Sequence, residues 1–173
     1  MDEPPSPTST PVGVVASDEQ AAADAVVVDV ERWATLAAAV LDAEGAVGEL
    51  TLTFVDRDEI AALNAEHLGK DGPTDVLSFP LDDDDEPALP GVPVLLGDVV
   101  VCPAVAVEQA AGHAGTADDE VALLVVHGVL HVLGHDHAET DETASMRARE
   151  LALLEAHHWG GPAPTGFGQE HSS

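Results

Sequence analysis

The sequence predicts an α+β fold of α/β-like character: a single four-stranded mixed sheet packed against helices, with a buried central helix that carries two histidines. Three observations indicate this fold. Four short β-branched or alternating segments are separated by helical patterns. One long run, residues 121–133, is apolar on almost every face, which is typical of a helix buried on all sides. Hydrophobic residues make up 45% of the 173 residues, which is enough for one core and one domain.

The first half of the chain is predicted to contain two strands and two helices. Residues 26–30 form a short β-branched run, and residues 50–55 alternate apolar and polar side chains, so both are predicted strands. Residues 31–43 are predicted to form a helix, and its apolar face consists of Trp33, Leu36, Ala37, Val40 and Leu41. Asp56 is placed to cap a second helix that runs to about Asn64.

The second half is predicted to contain two further strands, at residues 75–79 and 95–101, and three helices, one from Pro103, one at residues 121–133 and one at residues 141–157. Pro80 stops the first of these strands because it has no amide hydrogen to donate. Asp118 or Asp119 can cap the central helix. Residues 82–86 are all acidic, which predicts a solvated loop.

Both ends of the chain are predicted to lie outside the domain. Residues 1–24 begin with prolines among Ser and Thr and contain no periodic apolar face, so we expect a disordered extension. Residues 160–173 are rich in glycine, proline and serine, and we expect a flexible tail. The domain is therefore expected to span residues 25–159.

The charge balance excludes several classes of partner. The formal net charge of −28 arises from 33 acidic residues against 5 Lys and Arg. A broad basic surface for nucleic-acid phosphates and a cationic membrane-surface helix are both excluded, so DNA and membranes are not expected partners. The single Cys102 has no partner for an intrachain disulfide. No basic leader sequence or membrane-length apolar run is present, so we expect a cytoplasmic protein.

Three histidines in the frame HxxxHxxGxxH are the most informative feature, in the sequence HGVLHVLGHDH at residues 127–137. His127 and His131 are four positions apart, so they project from one helix face ~6 Å apart along its axis. Gly134 is placed to end the helix in a left-handed conformation, which allows His137 to return to that face. Three neutral imidazoles with an open fourth position are typical of a catalytic zinc site. We predict one Zn²⁺ per chain, bound by His127, His131 and His137.

A hydrogen-bonded core residue is the alternative for each of these histidines, and it is the commoner role of a single histidine in an apolar helix. Several buried imidazoles without ligand or partner would be costly, which favours the metal site. The same frame occurs in zinc proteases with the pattern HExxHxxGxxH, in which the Glu is the general base. Gly128 occupies that position here, so peptide hydrolysis by that mechanism is not expected.

The histidine segment resembles the HGxLHLxGYDH signature of the YbeY endoribonucleases, with His135 where the family usually has Tyr. Two further segments are similar to family motifs: GPTDVLSFP at residues 72–80 and LGDVVV at residues 96–101. The resemblance covers about residues 26–158 in the expected order. It implies that residues 25–159 form a YbeY-like catalytic domain.

The resemblance implies a zinc-dependent endoribonuclease that cuts single-stranded RNA in ribosomal RNA maturation, including the 3′ end of 16S rRNA, and in ribosome quality control. The family's metal ligands correspond to His127, His131 and His137. Many members carry an Arg shortly before PTDVLSFP, where this chain has Leu68, and Lys70 is the nearby candidate to replace it. The acidic excess is compatible with work at high salt or with docking of a basic small-subunit ribosomal protein.

Further residues are weaker candidates. Asp75 and Ser78 could line a cleft beside the metal, or could only form hydrogen bonds at a strand end. Asp136 could accept a hydrogen bond from an imidazole N–H or could cap a turn. Cys102 is expected to be a small buried hydrophobic residue. The remaining histidines of the domain's second half are expected at the surface: His113, His157 and His158.

Two alternative functions remain open from the sequence. One is a ribosome-assembly binding factor in which the zinc is structural, an alternative that the missing Arg favours. The other is a zinc hydrolase with a substrate other than RNA. For the endoribonuclease itself, the sequence leaves open whether a metal-activated water or the ribose 2′-OH is the nucleophile.

Overall fold

The computed structural model describes residues 13–21, 25–81, 94–134, 140–165 and 167–168. These residues form the strands β1 (Val14–Asp18), β2 (Glu49–Phe54), β3 (Val76–Pro80) and β4 (Leu95–Val101), and the helices α1 (Val30–Ala43), α2 (Arg57–Leu68), α3 (Pro103–Ala110), α4 (Ala117–Val132) and α5 (Thr140–Leu154). The strand order is β1-β2-β4-β3. The first three strands of that order are parallel and β3 is antiparallel. The predicted α+β fold with one four-stranded mixed sheet is confirmed.

Helices pack on both faces of the sheet. Alternate side chains of a strand point to opposite faces, and the larger core on one face packs against α1 and α4; its strand residues include Leu50, Leu52, Phe54, Val99 and Val101. A smaller cluster on the other face includes Ile60 of α2 and Cys102 at the end of β4. Every residue of α4 from Val121 to Leu130 is buried, so the prediction of a central buried helix is confirmed. Cys102 is fully buried, as predicted.

The helix caps agree with the sequence prediction at α2 and differ at α4. The Asp56 side chain accepts a hydrogen bond from the Glu59 amide (3.0 Å), as predicted. At α4 the cap is Thr116, whose hydroxyl accepts from the Asp119 amide (3.1 Å). The prediction of Asp118 or Asp119 as the cap was wrong. Both lie inside the first turn, where their charges are favourable to the helix dipole.

The first strand lies earlier in the chain than predicted. Val14–Asp18 pairs in parallel with β2 along its whole length, so part of residues 1–24 belongs to the domain and is not an extension. Residues 26–30 are not a strand. The side chain of Gln20 donates to the Val26 carbonyl and accepts from the Val26 amide, both at 2.9 Å. The backbone of Val26 is thus bonded to a side chain, and Val30 begins α1.

The C-terminal end also differs from the prediction. The last helix continues from α5 into a π-helical turn, Glu155–Trp159. Phe167 then packs edge-on against Trp159, with 4.8 Å between the ring centroids. This part of the predicted flexible tail therefore contacts the core, because its aromatic ring buries apolar surface there. The predicted acidic loop at residues 82–86 lies outside the described residues.

No helix in the described parts of the chain combines the length and the hydropathy needed to cross a membrane.

Candidate metal centre

The two predicted helical ligands lie together on α4. The ring centroids of His127 and His131 are 4.6 Å apart, with an angle of 75° between the ring planes. His127 is 6% exposed, and His131 is partly exposed one turn further along. The i,i+4 spacing thus produces the juxtaposition that the sequence predicts.

Glycines at two positions shape the helix around this pair. A Cβ at Gly128 would lie 2.6 Å from Cγ1 of Val99 on β4, so this glycine lets α4 pack closely on the sheet. Gly134 has a φ of 102°, a conformation that favours glycine, and it follows the end of α4 as predicted. Gly128, at the position of the general base in zinc proteases, therefore serves the contact between helix and sheet.

A buried carboxylate from α5 holds His127. Oε2 of Glu150 lies 2.5 Å from Nδ1 of His127, and Glu150 is 2% exposed. A carboxylate bonded to one ring nitrogen leaves the other, Nε2, to bind a metal ion. The sequence analysis missed Glu150. The available signal was its position on the apolar face of α5, between Met146 and Leu154.

The third predicted ligand, His137, lies outside the described residues, as do His135 and Asp136. Among the residues that the structure does describe, no group of three or more His, Cys, Asp or Glu side chains is placed to hold a metal ion. The zinc site with three histidines therefore stays a prediction. The two predicted ligands on α4 fit such an ion, because their imidazoles share one helix face and a carboxylate orients the first of them.

Asp75 belongs to a buried polar network beside α4. Its Oδ2 accepts from Nε2 of Gln109 (2.8 Å), which also donates to Glu120 (2.7 Å). Glu120 is fully buried. It accepts from the Ala114 amide (3.1 Å), and its carboxylate lies 2.8 Å from Nδ1 of His113. These contacts tie the start of β3 to α3 and α4. The proposed role of Asp75 beside a metal stays a prediction.

Ser78 donates from its hydroxyl to the carbonyl of Gly128 (3.2 Å). This contact fastens β3 to α4 directly beside His127. The structure therefore gives Ser78 a hydrogen bond close to the histidine pair, while its role in a cleft stays a prediction.

Two histidines outside the frame are not surface residues. His113 pairs with Glu120, and Nε2 of His158 lies 2.8 Å from Oδ1 of Asp119. The side chains of both histidines are largely buried, because their partners Glu120 and Asp119 at the start of α4 face inward. The prediction of surface positions was wrong for these two and is confirmed for His157.

Comparison with known proteins agrees with the fold. The family model described as Endoribonuclease YbeY matches residues 15–158. The Endoribonuclease YbeY of Salinispora tropica is 46% identical over 137 residues, which cover 73% of this chain and 87% of the relative. That of Thermobifida fusca is 47% identical over 133 residues, covering 73% and 84%. The solution structure of TM1509 from Thermotoga maritima matches with a TM-score of 0.54 and 26% identity, covering 84% of this chain and 90% of that one.

These similarities place the chain among the hydrolases that cleave RNA. The chain belongs to the YbeY endoribonuclease family.

Proposed function

We propose that this endoribonuclease uses one zinc ion, held by His127, His131 and His137, to cut single-stranded regions of ribosomal RNA. Its place of action is the cytoplasm, in maturation of rRNA, including the 3′ end of 16S rRNA, and in ribosome quality control. The observation that supports the proposal best is the pair of imidazoles 4.6 Å apart on one face of a buried helix. The first of them is already oriented by a buried carboxylate.

A bound zinc ion supplies a Lewis acid and lowers the pKa of a coordinated water. The residues of the chain hold and orient that centre. His127 and His131 present their rings from α4, and Gly128 between them has no side chain that could act as a base. Ser78 and Asp75, which form hydrogen bonds in the fold, are the candidates to line the cleft beside this centre.

RNA must approach a chain with a net charge of −28. The residue at the position of the family Arg, Leu68, ends α2 and is 51% exposed. Lys70 follows it and is exposed as well. We propose that Lys70 supplies the local cation and that salt is needed to screen the remaining carboxylates. Contacts to the RNA phosphates are then few, and the metal centre carries most of the anion binding.

Two measurements test the zinc centre. Elemental analysis of protein purified without a His-tag should find about one zinc per chain, with sharp losses in His127→Ala, His131→Ala and His137→Ala. Single-turnover cleavage of a labelled single-stranded RNA should then be lost in His131→Ala and in the metal-free protein. His157→Ala is the matched control, because His157 is exposed and lies outside the frame. Cleavage that survives both treatments would contradict the proposal.

A basic small-subunit ribosomal protein is the second proposed partner. A cleft of about 670 Å³ lies on the sheet face opposite α4, and its lining includes Phe79 together with the carboxylates of Glu19, Glu59 and Asp98. An apolar floor with an acidic rim suits a basic segment of a protein. Purified basic small-subunit proteins should bind the full chain, and Glu59→Gln combined with Asp98→Asn should weaken that binding. Equal binding by the double variant would argue against this cleft.

A further inference from the structure

The contact between α4 and α5 at Glu150 has a consequence for metal binding. Glu150 comes from a different helix than the histidines, 23 residues after His127. It is surrounded by apolar neighbours on its own helix, since Met146, Leu153 and Leu154 are all buried in the core. A carboxylate in such surroundings is costly unless it is hydrogen-bonded. Its bond to Nδ1 of His127 is therefore a fixed part of the fold.

The hydrogen bond decides which nitrogen of His127 carries the proton. A neutral imidazole has one N–H donor and one acceptor nitrogen. An ionised carboxylate accepts hydrogen bonds and has no proton to donate, so in the neutral ring Nδ1 is the N–H donor to Glu150 and Nε2 keeps its lone pair. The ring also loses its rotational freedom. Both effects are in place before any metal ion binds.

We propose that Glu150 is a positioning residue for the metal centre: it holds His127 with Nε2 ready to bind the ion. The inference rests on the proposed zinc site. It predicts that metal affinity depends on a residue that does not itself bind the ion. Loss of such a hydrogen-bond partner weakens metal binding by about 10–100-fold in other proteins.

The alignment of α5 contributes to this positioning. Arg149, next to Glu150, forms an ion pair with Glu44 just past the end of α1. The buried Met146 and Leu154 anchor the same helix in the core. Core packing of Met146 and Leu154 and the ion pair of Arg149 thus fix α5, and with it the position of the Glu150 carboxylate.

Two readouts test the positioning role without measuring cleavage. The first is the zinc dissociation constant, from competition with a chromophoric chelator, for the native protein, Glu150→Gln and Glu31→Gln. Glu31 is exposed on α1, so its replacement removes the same charge away from the site. We expect Glu150→Gln to raise the dissociation constant about 10–100-fold and Glu31→Gln to leave it unchanged.

The second readout needs no variant. Nitrogen-15 NMR of the metal-free native protein should show the His127 ring with the proton on Nδ1. Native affinity in a folded Glu150→Gln variant, or a proton on Nε2 in the metal-free protein, would overturn the inference. Failure of the proposed function looks different. In that case the native protein would bind no zinc, or His131→Ala would cut RNA as well as the native protein does.

Discussion

Gly128 offers the sharpest test of how α4 is seated on the sheet. In Gly128→Ala the new Cβ would lie 2.6 Å from Cγ1 and 3.3 Å from Cγ2 of Val99. Carbon atoms in contact prefer about 3.5–4.0 Å, so the helix or the strand must move by about 1 Å. Val99 is fully buried, and its β-branched side chain has few alternative rotamers. The strain therefore falls on the backbone.

The expected loss of stability follows from two opposing terms. Overpacking of a core costs about 1–3 kcal/mol, and contact with a stiff buried valine favours the upper part of that range. Alanine gains about 1 kcal/mol over glycine in a helix interior. We therefore expect Gly128→Ala to lower the free energy of unfolding by about 1–2 kcal/mol. Urea denaturation followed by circular dichroism measures this change.

A double-mutant cycle separates the clash from other effects. Val99→Ala removes both contacted methyl groups, so Gly128→Ala should no longer destabilise the protein in that background. The expected coupling is about 1 kcal/mol or more. Gly112→Ala is the control, because a Cβ there meets no atom within 4 Å. A Gly128→Ala variant as stable as the native protein, or fully additive effects, would refute the packing argument.

Three further predictions concern burial and charge. Glu120→Ala should lower the free energy of unfolding by about 3–5 kcal/mol, because it leaves buried partners unbonded. Glu108→Ala, at an exposed ion pair, should lower it by at most about 1 kcal/mol. Similar losses for the two variants in urea titrations would contradict this prediction. Burial raises the pKa of the Cys102 thiol, so the unfolded chain ionises first, and stability should fall as the pH rises above the ordinary thiol pKa of about 8.5. The slope should be reduced in Cys102→Ala, and an unchanged slope would refute the assignment. Leu68→Arg should raise kcat/KM on single-stranded RNA at low salt and steepen the log–log salt dependence of binding by about 0.7. Lys70→Ala should do the opposite, and no change in either variant would exclude contact between this loop and the RNA.

The strands show where sequence patterns succeed and where they fail. Residues 50–55 and 95–101 were predicted because alternating or continuous apolar side chains match strands that lie in the middle of the sheet. β1 was missed because Val14–Asp18 is short and follows a proline-rich segment. Its strand conformation comes from parallel pairing with β2, a contact across more than 30 residues of chain. No local pattern encodes that pairing.

The candidate metal centre also contains residues that the sequence predicts and one that it does not. The spacing of His127 and His131 on α4 was readable because helix geometry alone brings i and i+4 side chains together. The partner of Glu150 was not readable, since His127 lies on another helix and the prediction placed no contact between the two. A glutamate flanked by buried residues at i−4, i+3 and i+4 is nevertheless a usable signal. On the apolar face of a helix, a charged side chain needs a partner.

Around α4 the same pairing of histidine and carboxylate occurs three times within the described residues: His113 with Glu120, His158 with Asp119, and His127 with Glu150. A buried histidine bonded to a carboxylate is therefore no evidence of a metal site by itself, because in two of these pairs the contact joins helix ends and loops in the core. Only His127 also has a second imidazole one turn away on the same helix face, at 4.6 Å. A metal ion needs several donors converging on one point, and a carboxylate behind one of them serves to aim it. This end of α4 differs from the other buried histidine contacts because it combines an oriented imidazole with a second imidazole beside it. Neither feature alone would distinguish it.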